Sequence, residues 1–528
     1  MKARFQQGTR EQVFDVLEAW EQAQYEVDVE SIPRICVLVG EAGTGKSTIA
    51  SEFSKRLEER GRLGASFFFT RGTLDLNSPR KFFATIASQL ARSQPALRIP
   101  ITNAAREHLK TETIQQLEAQ FRDLVQKPLD TLVSRSALHP PIFVLVDALD
   151  ECTEEGPELV PILLRLLLSC AIAPGSRLRV FLTSRPEPHY IHEVFTDQDL
   201  KPYISILSIQ RFRDVVDDDI RILIQARLNE HESSKVWSRE DSSIVPTLVQ
   251  RADGLFIYAR TVVDFITGDL SSLQDRYTTV LSVDEDKFRL PPLNQLYRTV
   301  LESVFPTHEQ WPQRKKKLRS VLGYLVAIRE WAGISPKTLE RITGMRTEDS
   351  VPILNKLRSV VFFEQDNSMS AFRIVHATFR EFLTDSTPYG PGPDFFIDAG
   401  ETHTHLVDCC TKTLRTFRIS QLWKGAILRI RVRNQLVWGN LNIHYLPHVR
   451  YACDHLQYHY EHRGRRAPCE STTEIQTALD QCSKYRTLLE QGPKGGLKLE
   501  GKTRQVEIYG GLIDYMLPKH VVYRTSTL

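Results

Sequence analysis

The chain has 528 residues, which is too many for one hydrophobic core, so three or four domains are expected. Its residues are 41% apolar and 25% charged, an ordinary composition for a soluble globular protein. A formal net charge of +3 is close to balance, which excludes a strong overall attraction to nucleic acid or to a membrane surface.

The sequence also bears on the compartment. The first residues, Met-Lys-Ala-Arg-Phe-Gln-Gln, contain no apolar signal region. The most apolar run, residues 159–173, is too short to cross a bilayer and contains Arg165. The eight cysteines include no Cys-x-x-Cys pair, and their positions suit reduced thiols. We therefore expect a cytoplasmic protein without a membrane segment.

The first predicted element is an amphipathic helix over residues 8–23. It begins with Gly-Thr-Arg-Glu, and its apolar residues are Val13, Phe14, Leu17 and Trp20. We expect this helix to lead into the domain that follows.

The next stretch, residues 35–61, has the pattern of a strand, a glycine-rich loop and a helix. Ile-Cys-Val-Leu-Val predicts a short buried strand, and the helical pattern that starts at Ser47 stops at Gly61. The backbone N–H groups of the loop can point inward and, with the helix dipole, favour an anion. Lys46 would reach the β- and γ-phosphates of a nucleotide, and the Ser47 hydroxyl would ligate Mg²⁺.

This pattern predicts a nucleotide-binding loop rather than a plain glycine-rich turn. The predicted ligands share the loop and the first helical turn after it. They are Gly40, Glu41, Ala42, Gly43, Thr44, Gly45, Lys46, Ser47 and Thr48.

Four further strands are predicted, over residues 65–70, 142–146, 178–183 and 204–209. Helical stretches separate them, and one of these begins at Ser78-Pro79. Strands that alternate with helices predict an α/β fold, a P-loop NTPase with a parallel five-stranded sheet. Ligands of such sheets bind at the carboxyl ends of the strands, where the polar clusters of this sequence fall.

Acidic residues follow the predicted strand over residues 142–146, the third of the five strands in the chain. Asp147 is positioned to hold Mg²⁺ opposite the Lys46 loop, as a phosphoryl-transfer site requires. Asp150 and Glu151 follow closely enough to polarise an attacking water. Taken singly, each acid could also be a helix cap or a solvated turn residue, but the phosphate loop upstream favours the catalytic interpretation.

Arg185 follows the fourth strand, directly before Pro186. In that place its side chain could bind the γ-phosphate and so report whether ATP or ADP is present. The alternative is an arginine that satisfies the carbonyl groups at the strand end. We favour the nucleotide-sensing role.

The chain after the sheet changes character. Residues 215–281 have a helical pattern. Further on, helices precede two short strands, 360–363 and 372–375, and this order is typical of a winged helix. His376 follows that hairpin. Judged by position alone, it is a structural residue of the core or the surface, without a role in function.

A proline- and glycine-rich stretch, residues 386–393, is the predicted linker to a C-terminal all-helical region. We find no internal repeat. The predicted domains are a nucleotide-binding domain with its N-terminal helix at 1–205, a helical domain at 206–288, a winged-helix domain at 289–388 and the C-terminal helical region at 389–528.

Histidines and basic residues of the C-terminal half form two further patterns. His455, His459 and His462 recur at helical spacing, for which an interhelical packing face is favoured over a metal site. The basic runs at 314–319 and 463–466 are interpreted as solvated helix ends or loops. Nucleic acid is therefore not an expected partner.

Taken together, these motifs resemble the NACHT domain of the STAND class of P-loop ATPases, most of all the fungal NLR-like proteins. The resemblance covers residues 8–460. Its specific segments are 40–50, 67–71, 144–151, 182–186, 252–259 and 375–383. Ala148 directly after Asp147, with acids three and four positions beyond Asp147, is similar to the NACHT form of this motif rather than to that of kinases or GTPases.

The resemblance implies roles for individual residues. Arg185 matches the sensor 1 arginine of the family, and His376 matches the winged-helix histidine that contacts the ADP phosphate in the resting state. Arg10 belongs to a motif that lies near the adenine. Where many NLRs have Gly-x-Pro, this chain has Gly254-Leu-Phe256. The chain also has no room for the effector domain and repeat array of the family plan, so a switch core is expected.

For function, the resemblance implies an ATP/ADP-dependent signalling switch. With ADP, the winged helix folds back so that His376 touches the nucleotide. With ATP, Arg185 engages the γ-phosphate, and the chain opens and oligomerises until slow hydrolysis resets it. The implied cofactors are ATP or ADP with Mg²⁺. The implied partners are further copies of the chain and proteins that supply sensor or effector modules.

The residues leave three alternatives open. A turnover ATPase that remodels a macromolecular partner would show fast, partner-stimulated hydrolysis. A winged-helix regulator that binds nucleic acid would show salt-sensitive DNA binding. A degenerate interaction scaffold is disfavoured, because every catalytic-type residue is present.

Overall fold

The computed structural model describes most of the chain up to residue 491. The described ranges are 5–23, 33–70, 78–110, 116–133, 140–152, 155–282, 290–304, 311–328, 333–416, 447–464 and 472–491. Within them, five strands form one sheet and two short strands form a hairpin.

The first part of the chain is built from a sheet between layers of helices. Its strands are β1 (Ile35–Val39), β2 (Leu63–Phe68), β3 (Ile142–Asp147), β4 (Leu178–Ser184) and β5 (Ile204–Ser208). Its helices are α1 (Glu11–Ala23), α2 (Lys46–Glu59), α3 (Phe82–Ser93), α4 (Pro95–Lys110), α5 (Leu117–Gln120), α6 (Lys127–Val133), α7 (Gly156–Ile172) and α8 (His189–Phe195). Short 3₁₀ segments over 79–81, 149–151, 201–203 and 209–212 and a π-helical segment over 121–126 lie between them.

All five strands run parallel, in the order β2-β3-β4-β1-β5. The predicted α/β fold with a parallel five-stranded sheet is thereby confirmed. The register pairs Val39 with Ser184 and Phe68 with Asp147, so the carboxyl ends of the strands meet at one edge. Polar residues that are far apart in the sequence come together at that edge.

Two apolar cores flank the sheet, because successive side chains of a strand point to opposite faces. On one face, Ile35 and Val37 of β1 lie in a core with residues of α3, α7 and α8. On the other face, Cys36 and Leu38 lie in a core with residues of α1 and α2. The apolar residues predicted for the first helix are all buried in this second core: Val13, Phe14, Leu17 and Trp20.

Glu21 joins α1 to the rest of this part through a buried ion pair. Its side chain is fully buried, and its carboxylate accepts a hydrogen bond of 2.6 Å from Arg62 and another from Arg60. Both arginines lie between α2 and β2. The contact therefore holds α1 over the junction of those two elements.

We expect Glu21→Ala to lower the free energy of unfolding of this part by about 2–4 kcal/mol, because two arginines lose their buried partner. Glu59→Ala is the control. The Glu59 side chain is 65% exposed and pairs with Lys55 at 3.7 Å, so its removal should change stability by less than about 0.5 kcal/mol. Urea unfolding followed by tryptophan fluorescence measures both variants. Equal losses in the two would contradict the prediction.

The remainder of the described chain is mainly helical. Its helices are α9 (Arg213–Leu228), α10 (Glu232–Glu240), α11 (Ile244–Ala252), α12 (Phe256–Thr267), α13 (Leu273–Leu281), α14 (Pro292–Ser303), α15 (Trp311–Ala327), α16 (Pro336–Thr343), α17 (Thr347–Lys356), α18 (Ala377–Thr384), α19 (Ala399–Thr416), α20 (Pro447–His462) and α21 (Thr472–Gln491). None of the helices that the structure describes is long and apolar enough to cross a membrane.

A winged-helix arrangement lies within this helical part. Helices α16 and α17 precede a hairpin of two antiparallel strands, β6 (Val361–Phe362) and β7 (Arg373–Ile374), and α18 follows it. An isolated bridge between Ile334 and Phe372 adds to the hairpin. The helical, winged-helix and C-terminal segments all contribute to one hydrophobic core, in which α18 is anchored by Phe379 and Phe382. Helix α18 is therefore packed as part of the winged-helix segment.

The basic run at 314–319 lies on α15 and makes contacts within the chain. Lys317 Nζ lies 2.7 Å from a carboxylate oxygen of Asp349, and Lys315 pairs with Asp394. These pairs connect α15 to the neighbouring segments and neutralise part of its positive charge.

The C-terminal histidines pack between two helices. His459 of α20 is fully buried, and its Nδ1 lies 2.8 Å from Nδ1 of His403 in α19. Its Nε2 lies 2.9 Å from the hydroxyl of Tyr451. Within the described ranges, no group of three or more His, Cys, Asp or Glu side chains could hold a metal ion. His455 and His459 are buried, as a packing face between helices requires, whereas His462 is exposed.

Candidate functional site

The glycine-rich loop lies between β1 and α2, at the carboxyl edge of the sheet. Gly43 and Gly45 have φ angles of 81° and 92°, left-handed conformations that favour glycine. A β-carbon at Gly43 would also lie 2.3 Å from Cγ2 of Ile257. Glycine at position 43 is therefore required both by the backbone and by the packing of α12 against the loop.

The predicted nucleotide ligands surround the start of α2. Gly40 and Thr44 are buried, Glu41 is exposed, and the others are partly exposed: Ala42, Gly43, Gly45, Lys46, Ser47 and Thr48. Lys46 and Ser47 are the first residues of α2, where N–H groups have no carbonyl one turn earlier to bond. With the positive end of the helix dipole, these N–H groups suit a phosphate.

Lys46 is directed back into the loop. Its Nζ donates to the carbonyl oxygens of Gly40 and Glu41, at 2.6 and 2.8 Å. Burial lowers the pKa of Lys46, while the carboxylates of Asp150 and Asp147 act against this shift. The two acids at the end of β3 are therefore close enough to the ammonium group to form one site with it.

Asp147 ends β3 and is fully buried. Its Oδ1 accepts a hydrogen bond of 2.6 Å from the hydroxyl of Thr183 in β4. The Thr183 hydroxyl oxygen in turn accepts a hydrogen bond of 2.8 Å from the N–H of Ala148. Thr183 thus orients the carboxylate. This role was not predicted, because only the pairing of β3 with β4 places the threonine beside the aspartate.

Ser47 and Asp147 fit a magnesium ion by the chemistry of their side chains. Mg²⁺ prefers oxygen ligands, and a hydroxyl and a carboxylate supply them. The hydrogen bond from Thr183 orients the carboxylate, as outer groups commonly do at metal sites. The two predicted metal ligands therefore suit the ion.

Arg185 directly follows β4 and is held by acids from two distant parts of the chain. Its backbone N–H donates to Oδ1 of Asp150 at 3.1 Å, and its Nε lies 2.9 Å from Oδ2 of the same residue. Its Nη2 and Nη1 donate to the two carboxylate oxygens of Glu381 in α18, at 3.0 and 3.3 Å. Burial acts to lower the pKa of Arg185, but the bond to Glu381 and the charge of Asp150 outweigh it and raise that pKa.

Glu381 was not among the predicted site residues. It stands 196 residues from Arg185, and no local pattern indicates that the two side chains meet. The one available signal is its place in the winged-helix segment that contains His376.

Asp150 and Glu151 lie in the 3₁₀ segment that follows β3. Asp150 is buried and Glu151 is partly exposed, and both charges act to raise the pKa of Arg185. Asp150 is bound directly to the arginine, a contact that its predicted role in activating water did not include. The catalytic roles of the two acids stay predictions.

His376 is the N-cap residue of α18. Its Nδ1 accepts a hydrogen bond of 3.2 Å from the N–H of Thr378 and lies 2.7 Å from the hydroxyl of that residue, so the ring proton of the neutral form is on Nε2. Burial lowers the pKa of His376 to about 4; the charges of Arg185, Lys46 and Arg260 add to the shift, and Glu381 opposes it. His376 is therefore neutral at pH 7. It interacts with Lys46 of the nucleotide loop and with Arg185 at the end of β4.

We expect the docking of α18 against the nucleotide site to weaken in acid. An undocked histidine has a pKa near 6.5 and docked His376 one of about 4, so the undocked state binds protons better between these values. The docked state therefore has its full stability above pH 6.5 and loses stability as the pH falls from 6.5 towards 4. The loss at pH 5 is about 1–2 kcal/mol. His376→Asn keeps the helix cap without titrating. Hydrogen exchange of the α18 amides, compared at each pH, should show the acid effect in the wild type and not in the variant.

Arg10 connects the nucleotide loop to the helical segment. Its Nη2 donates to the carbonyl of Thr44 at 2.6 Å, its backbone N–H donates to Asp219 at 3.0 Å, and its guanidinium lies 4.2 Å from the ring centre of Phe256. Burial lowers the pKa of Arg10 to about 10, against the charge of Asp219. Its Nη1 is buried with no hydrogen-bond partner among the described residues. Asp219 and Phe256 were not predicted as site residues, since they belong to a different segment.

The structure thus brings most of the predicted residues together. The loop, Asp147, Asp150, Arg185 and His376 are linked by the contacts and charge interactions given above. Arg10 contacts the loop at Thr44. The site therefore combines the glycine-rich loop, a buried carboxylate at the end of β3, and an arginine and a histidine that interact with the same charged groups.

The sequence model of the family described as Nephrocystin 3, N-terminal, matches residues 9–185, about a third of the chain. No curated protein matches the sequence.

Several solved structures are similar to the chain. Drosophila ORC bound to DNA is 14% identical, with 70% of this chain and 92% of that chain covered and a TM-score of 0.28. A Walker-type ATPase of Pyrococcus abyssi is 15% identical, with 72% and 97% covered and a TM-score of 0.29. Cdc6p from Pyrobaculum aerophilum is 14% identical, with 71% and 92% covered and a TM-score of 0.31. Similarities this low carry no argument about function.

The assignment of the fold depends on three observations in this chain. They are the strand, loop and helix at residues 35–59, the parallel sheet that surrounds them, and the family match over residues 9–185. The first part of the chain therefore has a P-loop NTPase fold.

Proposed function

We propose that the chain is an ATP/ADP-dependent signalling switch of the NACHT type, held closed by its winged-helix segment. The observation that carries this proposal is the pair of groups that α18 presents to the nucleotide site. Glu381 binds Arg185 through both carboxylate oxygens, and His376 is close enough to Arg185 and Lys46 for their charges to lower its pKa. The position of α18 therefore depends on what occupies the site.

In this proposal the loop binds the nucleotide through its phosphates. Lys46 and the N–H groups at the start of α2 hold the β- and γ-phosphates, and Arg10 lies towards the adenine. Ser47 and Asp147 would hold Mg²⁺, whose positive charge would neutralise the phosphates. Asp150 and Glu151 orient the attacking water. We expect slow hydrolysis, because Asp150 is bound to Arg185.

A nucleotide moves such a switch only by binding its two states with different affinity. ADP leaves Arg185 with Glu381 and allows His376 to approach the terminal phosphate. ATP adds a phosphate that requires Arg185, so the winged-helix segment is released. The released segment exposes surface for self-association, and sensor or effector modules come from protein partners.

We place the protein in the cytoplasm. All seven described cysteines are free thiols, and most of them are buried. Free thiols are usual in reducing compartments.

The alternatives differ in what they require of the same site. A remodelling ATPase would use the same residues and turn over rapidly. A nucleic-acid regulator has less support, because Lys315 and Lys317 of the basic run pair with acids of the same chain.

The test is to purify the chain without added nucleotide, denature it and identify what is released by chromatography. One ADP per chain is expected. Light scattering should then show a single chain with ADP and a larger assembly with a non-hydrolysable ATP analogue. Rapid hydrolysis by a nucleotide-free protein would favour the remodelling ATPase. If the protein contains no nucleotide and binds none at millimolar ATP, only the alternative of a degenerate interaction scaffold would stand.

A further inference from the structure

We propose that Glu381 is a specificity-determining residue, whose carboxylate occupies on Arg185 the position that the γ-phosphate takes in ATP. The proposal rests on the proposed function, because it explains how the closed molecule distinguishes a diphosphate from a triphosphate. Glu381 is then a built-in competitor of the third phosphate.

The first support is the geometry of the ion pair. The two terminal nitrogens of Arg185 face the two oxygens of Glu381 at 3.0 and 3.3 Å, a two-pronged contact. Arginine binds carboxylates and phosphates through this same fork. One anion on the fork therefore excludes another of the same kind.

The second support is that Arg185 has its remaining nitrogen engaged. Its Nε lies 2.9 Å from Asp150, whose side chain is only 6% exposed and belongs to the same sheet edge. Glu381 is 32% exposed and comes from the winged-helix segment. Of the two acids, Glu381 is the one that can leave without disturbing the sheet.

The third support is electrostatic. A γ-phosphate on Arg185 would bring further negative charge next to the Glu381 carboxylate, and like charges this close repel each other. A diphosphate does not bring that charge to Arg185. Triphosphate binding and the docking of Glu381 therefore oppose each other.

The exchange also has a consequence for His376. Glu381 lies on the short helix α18, whose N-cap is His376 and whose apolar residues are buried in the winged-helix core. Because α18 is packed as part of that segment, displacement of Glu381 withdraws His376 as well. One added phosphate thus removes both contacts.

The experiment compares Glu381→Gln with the wild-type chain, using calorimetric titration with ADP and with a non-hydrolysable ATP analogue in the presence of Mg²⁺. Glutamine keeps the size of the side chain and removes its charge. We expect the ratio of the two affinities to shift about tenfold towards the triphosphate, with ADP affinity changed by less than about threefold. Glu381→Asp keeps the charge and should restore a ratio close to that of the wild type.

Glu348→Gln is the matched control, because Glu348 is an exposed acid of the same winged-helix segment whose side chain is 78% exposed. It should leave the ratio unchanged. If the wild type assembles with the ATP analogue but Glu381→Gln keeps the wild-type ratio, this inference is overturned while the switch stands. If the wild type binds both nucleotides and never changes its assembly, the switch itself is overturned, and with it this role of Glu381.

Discussion

Replacing Lys46 by alanine is expected to lower the affinity for ATP and for ADP by at least about 100-fold, because charge-assisted hydrogen bonds to phosphate are lost. The Lys46 ammonium group donates hydrogen bonds to the carbonyl oxygens of Gly40 and Glu41. It also interacts electrostatically with the carboxylates of Asp150 and Asp147. In the proposed function, this group binds the β- and γ-phosphates of the nucleotide. Alanine keeps the helix, since it has the highest helix propensity.

The control for this change lies on the same helix. Lys55 is 65% exposed and pairs only loosely with Glu59, at 3.7 Å, so Lys55→Ala should bind nucleotide as the wild type does. Titration calorimetry and the nucleotide content of the purified proteins measure the effect. Retained ADP in Lys46→Ala would show that the loop is not the nucleotide site.

Replacing Asp147 by asparagine is expected to reduce ATP hydrolysis by at least about 100-fold and to abolish the gain in triphosphate affinity that Mg²⁺ provides. Asparagine keeps the shape of the side chain, and its oxygen can still accept the hydrogen bond from Thr183. The change therefore removes a charge from the predicted metal site with little effect on the fold.

The design separates metal binding from nucleotide binding. In the presence of a chelator, wild type and Asp147→Asn should bind ADP with similar affinity, since the loop is intact in both. Asp241→Asn, at an exposed turn between α10 and α11, controls for the loss of an aspartate elsewhere. An unchanged response to Mg²⁺ in Asp147→Asn would rule out this residue as a metal ligand.

Much of the nucleotide site could be predicted because its signals are local. The strand before Gly40, the glycines of the loop and the helix after it are adjacent in the sequence, so their pattern alone indicates the phosphate loop. Asp147 and Arg185 could be placed at the same edge because parallel strands share their carboxyl ends. His376 needed the family resemblance, since its position alone indicated only a core or surface residue.

The partners of these residues could not be predicted in the same way. Arg10 contacts Asp219 across 209 residues, and Gly43 is packed against Ile257 of α12. Neither contact leaves a periodic pattern, because each depends on how separate segments dock. The same holds for Thr183, which reaches Asp147 only through strand pairing.

By itself, the sequence determined the α/β fold, the phosphate loop and the acids at the strand ends, because strand and helix periodicity and glycine conformations act over a few residues. Only the tertiary structure decided that Glu381 of the winged-helix segment binds Arg185. That contact depends on the docking of two segments far apart in the chain, and docking is set by the shape and charge of whole surfaces.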